Sequence, residues 1–301
     1  MAVSESVDFE PDVAEYIEEA FERCGLIVAT GYDLKTARRS LNLLFADWAN
    51  RGLNRWTIEQ VSLPLVTNIA NYPAGILTMT VGASGSFTVG ETITGGTSGA
   101  TASITSVTSS TVIAITIPSG TFVAAETITG GTSSATTTVT AAVDFTNVRS
   151  TIDILSAVIR QNAGASTQSD TSISRISRDT YINIPSKRTT ARPSQFYVDR
   201  QITPILKLWG TPDATTYTLV FDRLVRIDDA DNPQNTVDVP FRFYPCLAAG
   251  LAYYISLKKA PNRVQLLKAV YEEEFERAAA EDRDRASLTL TPSRDYYTLI
   301  R

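Results

Sequence analysis

A chain of 301 residues, 43% of them apolar, can hold one or two domains and bury a real core, which excludes disorder throughout. It contains no histidine and only two cysteines, which removes the commonest general base, the usual Ser and Cys triads and most zinc sites. The net charge of −5 is uneven, with 11 acidic against 6 basic groups in residues 1–71, 10 against 12 in 149–246 and 8 against 9 in 247–301, and lacks the pervasive positive charge of a nucleic-acid binder.

Pro11 in an acidic first turn signals the first helix, with Val13, Ile17, Ala20, Phe21 and Cys24 on one face and Gly25 as its stop. A second helix is expected from Asp33 as N-cap through Leu34, Ala37, Leu41, Leu44, Phe45 and Trp48 to Gly52, making a hairpin with the first. Trp56 to Val66 then reads as a strand. Cys24 and Cys246 fall in helix-like stretches without metal or redox spacing and are expected to be buried thiols. No charged-then-apolar leader opens the chain and no apolar run approaches the roughly 20 residues of a membrane span, so folding in a reducing cytoplasm is expected.

Between Thr78 and Val143 the chain repeats at a period of 35 residues. Ser84-Gly85-Ser86-Phe87 returns as Ser119-Gly120-Thr121-Phe122, and Glu91-Thr92-Ile93-Thr94-Gly95-Gly96-Thr97-Ser98 as Glu126-Thr127-Ile128-Thr129-Gly130-Gly131-Thr132-Ser133. From Tyr72 to Val148 there is no Lys or Arg, and Glu91, Glu126 and Asp144 are the only charges. Thr, Ser, Gly, Val and Ile at such density describe short strands and turns, built as a small sandwich or paired hairpins and inserted in a host of different composition.

The host resumes at Arg149. Strands are expected at Thr151 to Arg160, Ser172 to Ile176, Gln195 to Val198, Ile205 to Trp209 and Thr216 to Arg226, punctuated by Pro185, Pro193, Pro204 and Pro212. A third helix runs from Phe241 to Lys259 and a fourth from Asn262 to Arg285. The resulting expectation is an α+β chain: a four-helix-bundle host carrying a β module between its helical halves, with an inserted all-β repeat domain. Its boundaries are 1–73 (helical hairpin and first strand), 74–148 (insertion), 149–240 (β module), 241–285 (C-terminal helices) and 286–301 (tail).

Candidate chemistry is sparse. Glu272-Glu273-Glu274 lie on a helix whose apolar face is already assigned, and Asp228-Asp229 with Asp231 resemble a polar turn without EF-hand spacing. Gly95-Gly96-Thr97-Ser98-Gly99 resembles a phosphate loop by composition only, lacking the Lys and the strand-to-helix context, and reads as a turn. No catalytic group, metal or cofactor is assigned. Six cations gather within 26 residues: Arg175, Arg178, Lys187, Arg188, Arg192 and Arg200. They read as a solvated face in a monomer, or, repeated around a ring, as a surface for DNA phosphates or for a neighbouring subunit. Arg283, Arg285, Arg294, Tyr296 and Tyr297 offer a second contact of interface type.

The host residues carry a resemblance. Tyr32-Asp33-Leu34-Lys35-Thr36-Ala37-Arg38-Arg39-Ser40-Leu41-Asn42-Leu43-Leu44 followed by Asp47-Trp48-Ala49-Asn50-Arg51-Gly52-Leu53-Asn54-Arg55-Trp56 resembles the N-terminal region of head-to-tail adaptor proteins of short-tailed phages (podoviruses), also called packaged-DNA stabilisation or tail accessory proteins. Tyr181 to Pro185, Arg192 to Arg200, Leu206 to Pro212 and Val237 to Pro240 are similar to later segments of the same family, and Trp48 to Gly52 is the most specific part. Such proteins join the segment at Tyr72-Pro73 almost directly to the strand near Thr151, so the repeat departs from the family pattern.

The resemblance implies a non-enzymatic virion protein of the neck, made in the bacterial cytoplasm. It implies a homo-oligomeric ring, commonly a dodecamer, with the portal protein above, the tail nozzle or tail-fibre protein below, non-specific contact with packaged double-stranded DNA, and no membrane. On this reading the tail residues named above dock to the portal and the basic cluster faces the DNA channel or the next subunit. Two other classes compete: a glycan-cleaving virion enzyme working through carboxylates, and a surface or carbohydrate-binding adhesin using the β insertion.

Overall fold

The computed structural model describes residues 9–28, 30–52 and 55–283. In chain order the elements are helices α1 (Val13–Arg23) and α2 (Gly31–Arg51), then strands β1 (Ile58–Pro64), β2 (Asn71–Pro73), β3 (Leu77–Thr80), β4 (Thr92–Gly95), β5 (Thr101–Ser109), β6 (Val112–Ile115), β7 (Thr127–Gly130) and β8 (Thr136–Thr138). After the short helix α3 (Thr146–Arg149) come β9 (Thr151–Gln161), β10 (Ser169–Ser172), β11 (Ser174–Arg175), helix α4 (Arg178–Ile182), β12 (Gln195–Asp199), β13 (Ile205–Trp209) and β14 (Tyr217–Val225). Helices α5 (Tyr244–Lys259) and α6 (Val264–Glu281) follow. The chain divides into two units, residues 1–55 with 228–301 and residues 56–227.

The first unit is helical. Asp12 caps α1 in a reciprocal box with Glu15, whose backbone N–H it accepts at 2.8 Å. Gly25 ends that turn at φ +70°, where a β-carbon would stand 2.8 Å from the Arg263 guanidinium. The second helix starts earlier than the spacing suggests. Thr30 is the N-cap, and Asp33 is the third helical residue, whose carboxylate accepts from Thr30 N–H while also meeting Lys259. Helix α5 is buried nearly all round, from Cys246 through Leu247, Ala248, Ala249, Gly250, Leu251 and Ala252 to Ile255 and Ser256. α1, α2 and α6 pack against it, and Gly250 admits Leu44 and Tyr271, each 2.9 Å from where a β-carbon would sit.

The second unit is entirely β apart from single helical turns. Sheets β1-β14-β9-β10 and β11-β12-β13-β2 share one core, in which Leu63, Ile154, Ile159, Leu219 and Phe221 meet Tyr72, Phe196, Val198, Leu206 and Leu208. β12 and β13 alternate buried and half-buried residues, the period-2 pattern of strands with one face inward. Tyr72 is fully buried, and its hydroxyl accepts from Val66 N–H and donates to Val66 C=O at 2.9 and 3.0 Å, fixing the bend after β1.

The 35-residue repeat builds a third sheet, β3-β6-β5-β4-β7-β8. Its two outer strands also meet: Val81 bridges Val139, Thr140 N–H donates to Thr80 C=O and Gly82 N–H to Thr138 C=O, each bond near the sheet norm at 2.8 and 2.9 Å. The sheet therefore closes on itself as a six-stranded barrel rather than a sandwich, which leaves no free edges. β3, β4 and β5 of the first repeat correspond to β6, β7 and β8 of the second, and the pairing Thr94↔Thr129 lies on the pseudo-two-fold relating them. Leu77, Met79, Ile93, Ile104, Ile113, Ile115, Ile128 and Val139 fill the interior.

The expected four-helix-bundle host is corrected by this architecture. Among the described residues six α-helices, two of them single turns, stand against fourteen strands in three sheets that are antiparallel except at the two-residue pair β11–β12. The chain is mostly β. Helical periodicity was legible in four segments, but it does not report that α5 is apolar all round and so sits at the centre of its unit instead of serving as one of four equivalent staves.

Candidate functional site

The segment with the most specific resemblance, Trp48 to Gly52, forms with the preceding Asp47 a lock between α2 and α6. Trp48 is fully buried, and its indole Nε1–H donates to the Tyr271 hydroxyl at 3.0 Å, which in turn donates to Asp47 at 3.1 Å. Asp47 also accepts from Arg51 Nε at 2.8 Å, and the two terminal nitrogens of Arg51 fork onto Glu272 at 2.7 and 3.0 Å. The guanidinium lies 4.9 and 4.7 Å from the Tyr271 and Phe275 ring centroids. Its hydrogen bonds hold the Glu272 carboxyl below the usual carboxylate range. Asn42, one turn and more upstream, accepts from Ala230 N–H at 2.9 Å. The residues of the resemblance are thus structural fasteners.

The same geometry disposes of the carboxylate cluster on α6 as acid–base machinery. Glu272 is forked by Arg51, while Glu273 and Glu274 both pair with Arg277. Among the described residues no group of three His, Cys, Asp or Glu is placed to hold a metal ion, and no helix is long and apolar enough to cross a membrane. Cys24 and Cys246 are buried; burial lifts the Cys246 thiol to about 12.

The six cations of the basic cluster are all exposed but differ in how far they are neutralised. Arg175 grips Asp153 at 2.8 Å and donates to Ile154 C=O at 2.9 Å, and Arg200 lies 3.8 Å from the same Asp153. Lys187 is spent on the Ile182 and Ile184 carbonyls at the end of α4, at 2.9 and 3.1 Å. Arg178, Arg188 and Arg192 make no hydrogen bond or ion pair among the described residues. The loop carrying the last two is anchored, with Trp209 Nε1–H donating to Ser186 C=O at 3.1 Å and Ala191 N–H to Thr211 C=O at 2.8 Å. Of the tail residues, Arg283 is exposed just beyond α6, and Arg285, Arg294, Tyr296 and Tyr297 lie outside the described residues.

Two arrangements escaped sequence reasoning. In the barrel, Glu91 of the first repeat accepts from Thr132 and Ser133 N–H at 3.1 and 2.9 Å and from its own Thr88 N–H at 2.6 Å, with the Ser133 hydroxyl donating at 2.9 Å. Glu126 of the second repeat does the same with Thr97, Ser98 and Val123. The Gly-Gly-Thr-Ser turn is therefore an anion cradle, as its composition hinted, whose anion is the other repeat's carboxylate. A β-carbon at Gly130 would stand 2.5 Å from Glu91 Oε2, so glycine is required there. The repeated Glu at one offset and Gly-Gly-x-Ser at another was the signal available.

The second arrangement sits where the chain enters and leaves the barrel. Arg223, only 3% exposed, donates to Asn147 C=O at 2.7 Å, Asn147 Oδ1 at 3.0 Å, Thr151 Oγ1 at 3.0 Å and Glu59 at 2.7 Å. Asn147 Oδ1 also accepts from Ile76 N–H at 2.8 Å, and Thr151 donates to Ala74 C=O at 2.5 Å. One guanidinium thus ties both crossings to β1 and β14. Arg223 lies two residues beyond Phe221 and four beyond Leu219, so the alternation of β14 turns this side chain inward.

No curated protein matches the chain. A family model described as SU10 adaptor protein matches residues 12–294, spanning nearly all of both units and including the α2–α6 lock. The chain accordingly belongs to the SU10 adaptor protein family, a family of phage head-to-tail adaptors, and is a structural, virion-associated protein that works among other head and tail proteins.

Proposed function

We propose that the chain forms a closed ring, commonly of twelve copies in such adaptors, beneath the portal of a filled capsid, where it helps retain packaged double-stranded DNA and gives the tail nozzle or tail fibres their platform. The observation that carries this reading is the family match over residues 12–294, which runs through both units. The interlocked α2–α6 pair supports it, because a ring part under internal pressure gains from fasteners that hold helices without relying on packing alone. Residues 74–148 are an insertion in the adaptor body, projecting as a decoration or spacer. Arg283, Arg285, Arg294, Tyr296 and Tyr297 form the portal-docking element, consistent with the preference for Arg and aromatic residues at interface hot spots. Closed rings need two different complementary surfaces on each copy.

Native mass spectrometry of the full chain, alone and mixed with the portal of its own phage, with and without residues 286–301, tests the proposal. A discrete multi-copy complex that requires both portal and tail is expected. A monomer indifferent to the portal would overturn it.

A further inference from the structure

On the first unit, α1 and the start of α5 enclose a groove of about 490 Å³. Its floor is aromatic: Tyr244 packs edge-on against Phe9 and Tyr16, with centroids 6.4 and 5.9 Å apart. Tyr16 is 4% exposed and its hydroxyl has no hydrogen-bond partner, although it lines this groove. A buried hydroxyl left unpaired is costly, so its persistence calls for a partner supplied from outside. The rim is a stripe of carboxylates, Glu15, Glu18, Glu19 and Glu22, spaced three and four residues apart on α1. Glu15 is occupied by the helix cap and Glu19 by Arg23, which leaves Glu18 and Glu22 exposed and unpaired among the described residues. Like charges at that spacing repel and weaken the helix unless a cation covers them.

An aromatic floor, an orphan hydroxyl and two free carboxylates fit a guanidinium group: planar, weakly hydrated, able to lie on a ring while donating to several oxygens. The second unit presents such groups. Arg188 and Arg192 are exposed, unpaired and carried on a loop already held by Trp209, Lys187 and Thr211, so little ordering entropy remains to be lost on docking. We infer that the Arg188–Arg192 loop of one copy seats in the Tyr16–Glu18–Glu22 groove of a second copy. The two surfaces are different and lie on different units, which makes the contact heterologous, the kind that propagates into a ring. The inference rests on the ring reading above and names the patches that would join neighbours; it assigns these two arginines to a subunit contact and not to DNA.

Charge reversal tests it in the full chain. Glu18→Arg with Glu22→Arg, and separately Arg188→Glu with Arg192→Glu, are expected to weaken assembly measured by native mass spectrometry with portal present by about 100-fold, and the four changes together to restore it to within about tenfold. Tyr16→Phe supplies a second readout. It removes a group unpaired in the free chain, so thermal stability of the monomer should hold or rise while assembly falls about fivefold or more. Assembly insensitive to either reversal, a combined variant that stays unassembled, or arginine variants that assemble normally yet lose DNA binding would each overturn the inference while leaving the ring reading standing. A wild-type chain that never assembles would overturn both.

Discussion

Glu91 and Glu126 are the two acids on which the barrel turns. Burial pushes each carboxyl up, but the hydrogen bonds from Ser133, Thr88 and Thr132 to Glu91, and from Ser98, Val123 and Thr97 to Glu126, outweigh it and hold both below the usual carboxylate range. A folded-state value below the unfolded one of about 4.3 means the stabilisation is complete above that pH and is lost as pH falls through the folded value. The barrel should therefore lose stability in acid below about pH 4. Glu91→Gln is expected to cost roughly 1–3 kcal/mol at neutral pH, with Glu126→Gln about equal by pseudo-symmetry, and the double variant to flatten the acid limb of a Tm-against-pH curve. Ala125 gives a sharper single-residue test. It sits at φ +65° where the first repeat has Gly90 at φ +90°. Ala125→Gly is expected to raise stability by roughly 0.5–1 kcal/mol in urea unfolding, because the left-handed strain removed exceeds the added chain entropy.

At the scale of elements, strand β14 shows how a regular alternation can carry a charge inward as well as apolar side chains. Alternate residues Leu219 and Phe221 face the two-sheet core, and two positions further the same alternation delivers the Arg223 guanidinium to the point where the barrel joins that core. Arg223→Met is expected to destabilise by about 2–4 kcal/mol, since the Asn147 carbonyl and Thr151 hydroxyl lose their buried donor. Amide exchange at Ile76 should accelerate while exchange within β12 and β13 stays slow. Glu59 adds less, its side chain being half exposed and able to turn to water. Helix α5 illustrates the opposite case, an element so apolar that it carries no directional face and takes its place only from what packs around it.

At the scale of the whole molecule, the barrel enters and leaves through adjacent strands: Thr78 bridges Asp144, and Ala74 and Thr151 share a hydrogen bond. Because these ends are neighbours, excising residues 79–143 and closing the gap with Asn-Gly should leave the remaining chain folded, with a single cooperative transition and the near-ultraviolet signal of Trp48 intact. Collapse of that signal would show that the barrel is integral to the fold. Loop closure over so short a span adds little entropy cost, which is why an insertion of this size is tolerated at that point.

Local, short-range physics was readable from the residues alone. The helices α1 and α2 with their stops at Gly25 and Gly52, the strands β9, β12, β13 and β14, the 35-residue repeat and the motif around Trp48 all follow from propensity, period and turn chemistry acting over a few neighbours, whereas the α2 cap lies at Thr30 and not at the expected Asp33. Tertiary structure decided what those elements do together: that the strands outnumber the helices in organising the chain, that the repeat closes into a barrel, that each repeat's glutamate serves the other's glycine turn, and that Tyr16 is buried with an unanswered hydroxyl in a groove. Each of these depends on partners 28 to more than 200 positions away in sequence, where burial and hydrogen bonding are set by which surfaces meet, and no local pattern carries that information.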